Sequence, residues 1–379
     1  MLPAAPKGTR VTLLLLGCLS DSNFGSVGPT ERPRPDRPGA SPDTGDFSGG
    51  GDDDGGGGDD DDPAVPEFGD APDFTVIADR GDRLDVPRDL EFHQGDLWVV
   101  NRAFDGVVLI EDPGGSGQKA TKLTEASTEH FMEEVSSLAF GGELFATCHE
   151  SRNTYNGWYN PDDFMGPTLW DPELFGRYGG STHMDMLHQS PNCMGIAHWE
   201  DNAYFVFDGG RGELAYYDFK RDHGPGNEDH SDGVIRRYSD VGLKRVADVP
   251  GHIEASDGLL YIADTGNGRV LVVDPSTAAK SRNLSGANEW LAEYSEYAGA
   301  TVEVFSKSVD QPSGIAVGGA RVFVSDYETG EIVAYDHDGL ELDRIDTGAV
   351  GIMGLELGPD GHLWFVDGEG DEVVRVDPN

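Results

Sequence analysis

One pattern recurs six times from residue 87 onward, and it constrains the fold more than any other feature of the chain. Each unit holds a short start segment, a strand of four or five apolar residues closing on Asp or a substitute, and a Gly-containing turn into a further strand. The starts are Arg88-Asp89-Leu90-Glu91-Phe92, Ser136-Ser137-Leu138-Ala139-Phe140, Met194-Gly195-Ile196-Ala197-His198, Gly251-His252-Ile253-Glu254-Ala255, Ser313-Gly314-Ile315-Ala316-Val317 and Met353-Gly354-Leu355-Glu356-Leu357. The strands that follow end at Asn101, Cys148, Asp208, Asp264, Asp326 and Asp367. They are rich in Val, Ile, Phe, Tyr and Trp and bounded by Gly and Asp, which is strand and turn chemistry. Units of about 40 to 60 residues with three or four strands each predict an all-β ring, a six-bladed β-propeller. The spare strand Phe74-Thr75-Val76-Ile77-Ala78 is expected to pair into the last blade and close the ring, so that no edge is left open. One stretch, Ala287–Tyr297, reads as an amphipathic helix inserted between units four and five.

ADTGNGRVLVVD and VSDYETGEIVAYD resemble NHL repeats, and GPDGHLWFVDGEGDEVVRV is similar to the repeats of streptogramin lyases. The resemblance covers about residues 87 to 379 and is strongest in the last four units. It implies the six-bladed ring rather than an activity, because propellers host many functions.

The residues before the ring have a different character. Lys7 and Arg10 precede the apolar run Val11–Leu16, and Leu15-Leu16-Gly17-Cys18 follows. This resembles the lipobox of bacterial lipoproteins and implies a signal peptide over 1–17, acylation of Cys18, and an exported protein held in the cell envelope by lipid. A plain signal peptide is the alternative. The apolar run is far shorter than the roughly 20 residues a membrane span needs. Residues 18–73 pass from Pro-rich sequence to GGGDDDGGGGDDDDP, with almost nothing to bury, and are expected to form a disordered stalk leading to the propeller at 74–379.

Asp and Glu outnumber Lys and Arg by 70 to 27, a formal charge of -43. Such a chain is not built for nucleic acid, whose phosphates require basic contacts. It also has no charge attraction to anionic lipid, so membrane contact would run through the anchor alone. No CxxC or Cys/His zinc spacing occurs.

Site candidates fall in two regions. The first residues of the innermost strands should face the channel on one rim. Gly recurs there, as close axial approach requires, whereas Arg88, Asp89 and His252 break the small-residue pattern and mark a channel site. Six-bladed peptidyl-hydroxyglycine lyases hold zinc with three His, and only His252 stands at a comparable position. The calcium-site motif of gluconolactonase-type propellers survives only as Gln311-Pro312-Ser313-Gly314, without its Asn. The second region is the pair of insertions flanking unit three, with His183 and His188 in one and His223, Asp229 and His230 in the other. These residue types suit a divalent metal such as zinc, copper or calcium. Turn-capping side chains are the alternative. The Asp column (Asp208, Asp264, Asp326, Asp367) is expected to bond turn amides rather than do chemistry. Cys148 and Cys193 fall on one rim of adjacent units and are expected to form a disulfide in an oxidising compartment, the alternatives being buried thiols or ligands of a soft metal.

The function expected is an exported, lipid-tethered binding platform, a monomer taking a protein, peptide or glycan near the cell surface. The alternative is a metal-dependent propeller enzyme, a lyase or lactone hydrolase, using the loop histidines and the channel rim.

Overall fold

The computed structural model describes residues 68–69, 71–125, 128–152 and 164–378. The expected signal peptide, the acylated Cys18 and nearly all of the stalk lie outside the described residues. Six sheets follow one another along the chain, each running from an innermost to an outer strand. The innermost strands are Pro87–His93, Val135–Gly141, Cys193–Glu200, Ile253–Ser256, Pro312–Gly318 and Ile352–Leu357. These coincide with the six start segments of the repeat, so the chain is a six-bladed β-propeller.

The ring closes as expected. Strand Asp73–Ala78 pairs antiparallel with Glu372–Asp377 and becomes the outermost strand of the sixth blade, joining first and last segments in one sheet. Hydrophobic layers lie between successive blades. Trp98, Phe145, Trp170 and Phe175 form one such layer between blades one and two, and Trp364 with Val366, Leu90 and Val99 joins blade six to blade one. Alternating strands supply apolar side chains to both faces, so every blade is buried on both sides, which explains why its strands read as nearly continuous apolar runs.

The Asp column is a set of clamps. Asp326 accepts from the amides of Glu328 and Thr329 in its own turn and of Asp310 in the preceding connection. Asp367 does the same with Glu369, Gly370 and Val350, and Asn101 replaces it in blade one by accepting from Asp85. Buried carboxylates thus fix where each inter-blade connection enters, which suits residues that are structural rather than catalytic. In blade two the column holds Cys148, which forms a disulfide with Cys193 at the start of blade three, their Cα atoms 5.4 Å apart.

The insertion in blade four is not the helix its sequence suggests. Ala279–Asn283 and Glu293–Ala298 form a hairpin between the third and fourth strands of that blade. Its second strand pairs in parallel with Val234–Gly242, the fourth strand of blade three, so the third sheet has six strands. An unpaired sheet edge offered backbone partners to this segment, and such tertiary pairing overrides local propensity.

Candidate metal centre

The two insertions meet on the outside of the ring. His183–Met186 is the outermost strand of blade two. Its alternation turns His183 and Asp185 to one side, and Met184 and Met186 to the other. The connection between Asp218 and Val234 in blade three crosses to this strand. His223 N donates to Met184 O at 3.1 Å and Gly226 N to His183 O at 2.9 Å. Gly224 and Gly226 take positive φ there, 76° and 71°, letting the loop fold back. The result brings His223 and His230 to Asp185, and the three offer ligand atoms within 4.8 Å of one another.

The tautomers follow from the partners. His223 Nδ1 lies 2.7 Å from Gly224 O, which can only accept, so Nδ1 is the donor and Nε2 carries the lone pair. His230 Nδ1 lies 2.5 Å from Glu289 Oε2. Both Nε2 atoms therefore face Asp185, each 3.9 Å from its Oδ1. His223 Nε2 and Asp185 Oδ2 are buried without any hydrogen-bond partner. Buried polar atoms are rarely left unpaired, since each costs on the order of 1–3 kcal/mol. A metal bound by these atoms would remove that penalty.

Glu289 comes from the loop of the added hairpin. Its Oε2 also accepts from His188 Nδ1 at 2.8 Å, and its Oε1 from the His188 amide at 2.9 Å. His188, His230 and Glu289 form a second group with metal-ligand proximity, but its ligand atoms already bond one another. Its evident work is orientation: a carboxylate holding the far nitrogen of a ligating imidazole is a common support of metal sites.

Charge states agree with this division. Burial pushes the Asp185 carboxyl up to about 8. Burial would also raise Glu289, but His188 and His230 outweigh it and hold it down at about 2. Burial lowers His183 to about 4, with help from His223. Two nitrogens and one oxygen suit zinc or copper; calcium takes six to eight oxygens, so the calcium option has no support in this donor set.

Of the expected ligands, His223 and His230 stand in the centre and His188 supports it. The His183 ring is 5.3 Å from that of His223 and stacks on Phe131, but it belongs to neither group. Asp229 belongs to neither group: its Oδ1 caps a turn by accepting from Ser231 N and Oγ, and the carboxylates of the two groups are Asp185 and Glu289. Asp185 had a signal, the i, i+2 spacing from His183. Glu289 had none, being 59 residues from His230.

The channel rim is a separate place. Arg88, Asp89 and His252 do converge, with His252 Nδ1 3.3 Å from Asp89 Oδ2 and Nε2 3.3 Å from Arg88 O. They sit at the starts of innermost strands, whereas Asp185 of the histidine centre stands on the outermost strand of blade two. The glycines behave as expected: a Cβ on Gly195 would lie 2.2 Å from Gly251 O, and one on Gly354 would lie 2.8 Å from Asp89 Oδ1. The sequence reading missed a ring of carboxylates. Glu91, Glu254 and Glu356 occupy the same place in their units and line an axial cavity of about 200 Å³ with Asp89 and His252. Burial raises all three, Glu254 to about 8, with further contributions from one another or from Asp89. The repeat alignment held the signal: the fourth column of the start segments reads Glu, Ala, Ala, Glu, Ala, Glu.

No protein-family model matches this chain, and no curated protein matches it. Solved structures do. A streptogramin B lyase is 10% identical, with 83% of this chain and 100% of that one covered, at a TM-score of 0.49. An auxiliary nutrient binding protein from Bacteroides thetaiotaomicron is 10% identical over 76% of this chain and 68% of that one, TM-score 0.50. The PQQ-bound aldose sugar dehydrogenase of Streptomyces coelicolor is 14% identical over 81% and 98%, TM-score 0.51. At these identities the likeness extends to the propeller fold alone.

Proposed function

We propose that the chain is an exported, lipid-tethered propeller that holds one zinc or copper ion at Asp185, His223 and His230 and serves as a binding platform near the cell surface. The observation that carries this reading is the pair of buried, unpartnered ligand atoms, His223 Nε2 and Asp185 Oδ2, on two side chains that approach to 3.9 Å through Asp185 Oδ1. The disulfide between Cys148 and Cys193 supports export, since such bonds persist in oxidising compartments. A tether at Cys18 and a protein, peptide or glycan partner complete the reading, with the chain acting as a monomer.

Metal analysis tests it. The chain purified without chelators should carry about one zinc or copper per molecule, by the three-ligand geometry. Asp185→Asn and His223→Ala should each remove it while the far-ultraviolet spectrum of the ring persists. Metal-free wild-type protein that takes up neither ion would overturn the proposal. One observation favours the enzyme reading instead: three protein ligands leave a coordination position for water or substrate, as catalytic zinc sites do. Turnover of a lactone or lyase substrate, lost with the metal, would select it.

A further inference from the structure

The added hairpin also helps to build a second concave site, between blades three and four. A cavity of about 230 Å³ is lined there by the buried rings of Phe205, Tyr216 and Tyr238 and by the half-buried rings of Trp199 and Tyr297. Two charged side chains, Glu200 and Arg236, share the lining. From this arrangement we propose that the cavity binds a neutral sugar ring, a pyranose unit of a glycan. The inference rests on the platform reading, in which a glycan is one of the partners, and not on the metal.

The charges select the ligand class. Arg236 already lies over the rings of Tyr216 and Tyr297, its guanidinium carbon 5.0 and 5.1 Å from their centroids. Its Nε and Nη2 each stand 3.4 Å from Glu293 Oε2. A second cation would meet this one among the same rings and is disfavoured. An anion is disfavoured by Glu200, an exposed carboxylate on the lining, and by the net charge of -43. An uncharged ligand with hydrogen-bonding groups remains. One face of a pyranose is dominated by C–H groups and stacks on an aromatic ring, while its hydroxyls bond a carboxylate acceptor and a guanidinium donor at the edge. Glu200 and Arg236 supply that pair.

The cavity is preformed. The Trp199 ring packs edge-on against Phe205 at 5.2 Å between centroids, and Phe205 packs against Tyr216 at the same distance. Asp274 Oδ1 accepts from Ser276 N at 3.0 Å and from Ser276 Oγ at 2.6 Å, which holds the turn Pro275–Thr277 in place beside the rings. Rigid aromatic surfaces lose little conformational entropy when a ligand stacks on them. The volume admits one sugar ring and is smaller than the roughly 300–1,000 Å³ of sites for drug-sized ligands. The hairpin that brings Tyr297 also delivers Glu289 to the metal centre, so one addition to the repeat serves both sites.

The test is calorimetric titration of the full chain with methyl β-glucopyranoside, methyl β-galactopyranoside, methyl α-mannopyranoside and N-acetylglucosamine, with choline and citrate as charged controls. Saturable binding of at least one sugar, and of neither control, is expected. Trp199→Ala and Tyr297→Ala should each weaken it about tenfold or more, as loss of an aromatic stack requires. Glu200→Gln, on an exposed side chain, leaves the ring intact and should weaken it about tenfold by removing a charged acceptor. Protein stripped of metal by a chelator should bind the sugar as before, so a failure of the metal proposal is told apart from a failure here. No binding of any of the four sugars, binding of a charged control alone, or equal affinity in wild type and all three variants would overturn the proposal.

Discussion

Replacing Glu254 by Gln should stabilise the ring above neutral pH and leave it nearly unchanged in acid. Glu254 stands on an innermost strand and shares the axial cavity with Glu91, Glu356, Asp89 and His252. Burial, then the Asp89 charge, raises its carboxyl from 4.5 to about 8. A carboxyl raised on folding binds more protons in the native state than in the unfolded chain. Its contribution is therefore full below the unfolded value of 4.5 and is lost as pH rises toward about 8. At 1.36 kcal/mol per pH unit the whole interval corresponds to a ceiling of about 5 kcal/mol. The cavity opens to solvent and three glutamates share the effect, so about 2 kcal/mol is the expected size. The assay is denaturant unfolding of wild type and Glu254→Gln at about pH 5 and about pH 8. Buried histidines such as His149, lowered by burial to about 3, act in the opposite sense below pH 6.5. They are common to both proteins and cancel in the difference. The variant should gain about 2 kcal/mol on wild type between the two pH values. A difference that does not change with pH would refute the claim that this carboxyl is held neutral in the channel.

Other outcomes follow from the same structure. Opening the Cys148–Cys193 bond, which spans 45 residues, should cost about 4 kcal/mol by the chain-entropy relation, read as a lower denaturant midpoint for the Cys148→Ala/Cys193→Ala protein; an unchanged midpoint would mean that the bond constrains little. Glu289→Gln should weaken zinc binding about tenfold or more without abolishing it, because Glu289 orients His188 and His230 rather than ligating; full loss of metal would make it a ligand. Deleting residues 68–78 should lower the unfolding midpoint sharply, since this removes the strand that closes the sixth blade and also Phe68, which is 1% exposed in the core. Cys18→Ala should move the protein from the membrane to the soluble fraction, and wild-type protein already soluble would contradict the anchor.

The repeat carried nearly all of the architecture. Short apolar strands ending in Asp and turning at Gly can bury both faces only by stacking with copies of themselves, so six copies specify six blades before any coordinate is known. The same alignment placed Cys148 in a column of Asp and thereby set it beside Cys193, a relation local enough to read from strand order. It also held the glutamate column of the channel, because equal positions in equal units must share one radius. The metal centre was half legible. His183 and Asp185 share a strand face, but nothing local reveals that His223 folds back onto Met184, or that a hairpin from blade four adds to the edge of blade three and delivers Glu289. Likewise Trp199, Tyr216 and Tyr297 stand in separate segments of the chain and meet only between blades three and four. Repetition encodes contacts between units in the sequence itself. Contacts made by insertions depend on which sheet edge is left open to receive them, and that is settled only when the ring has closed.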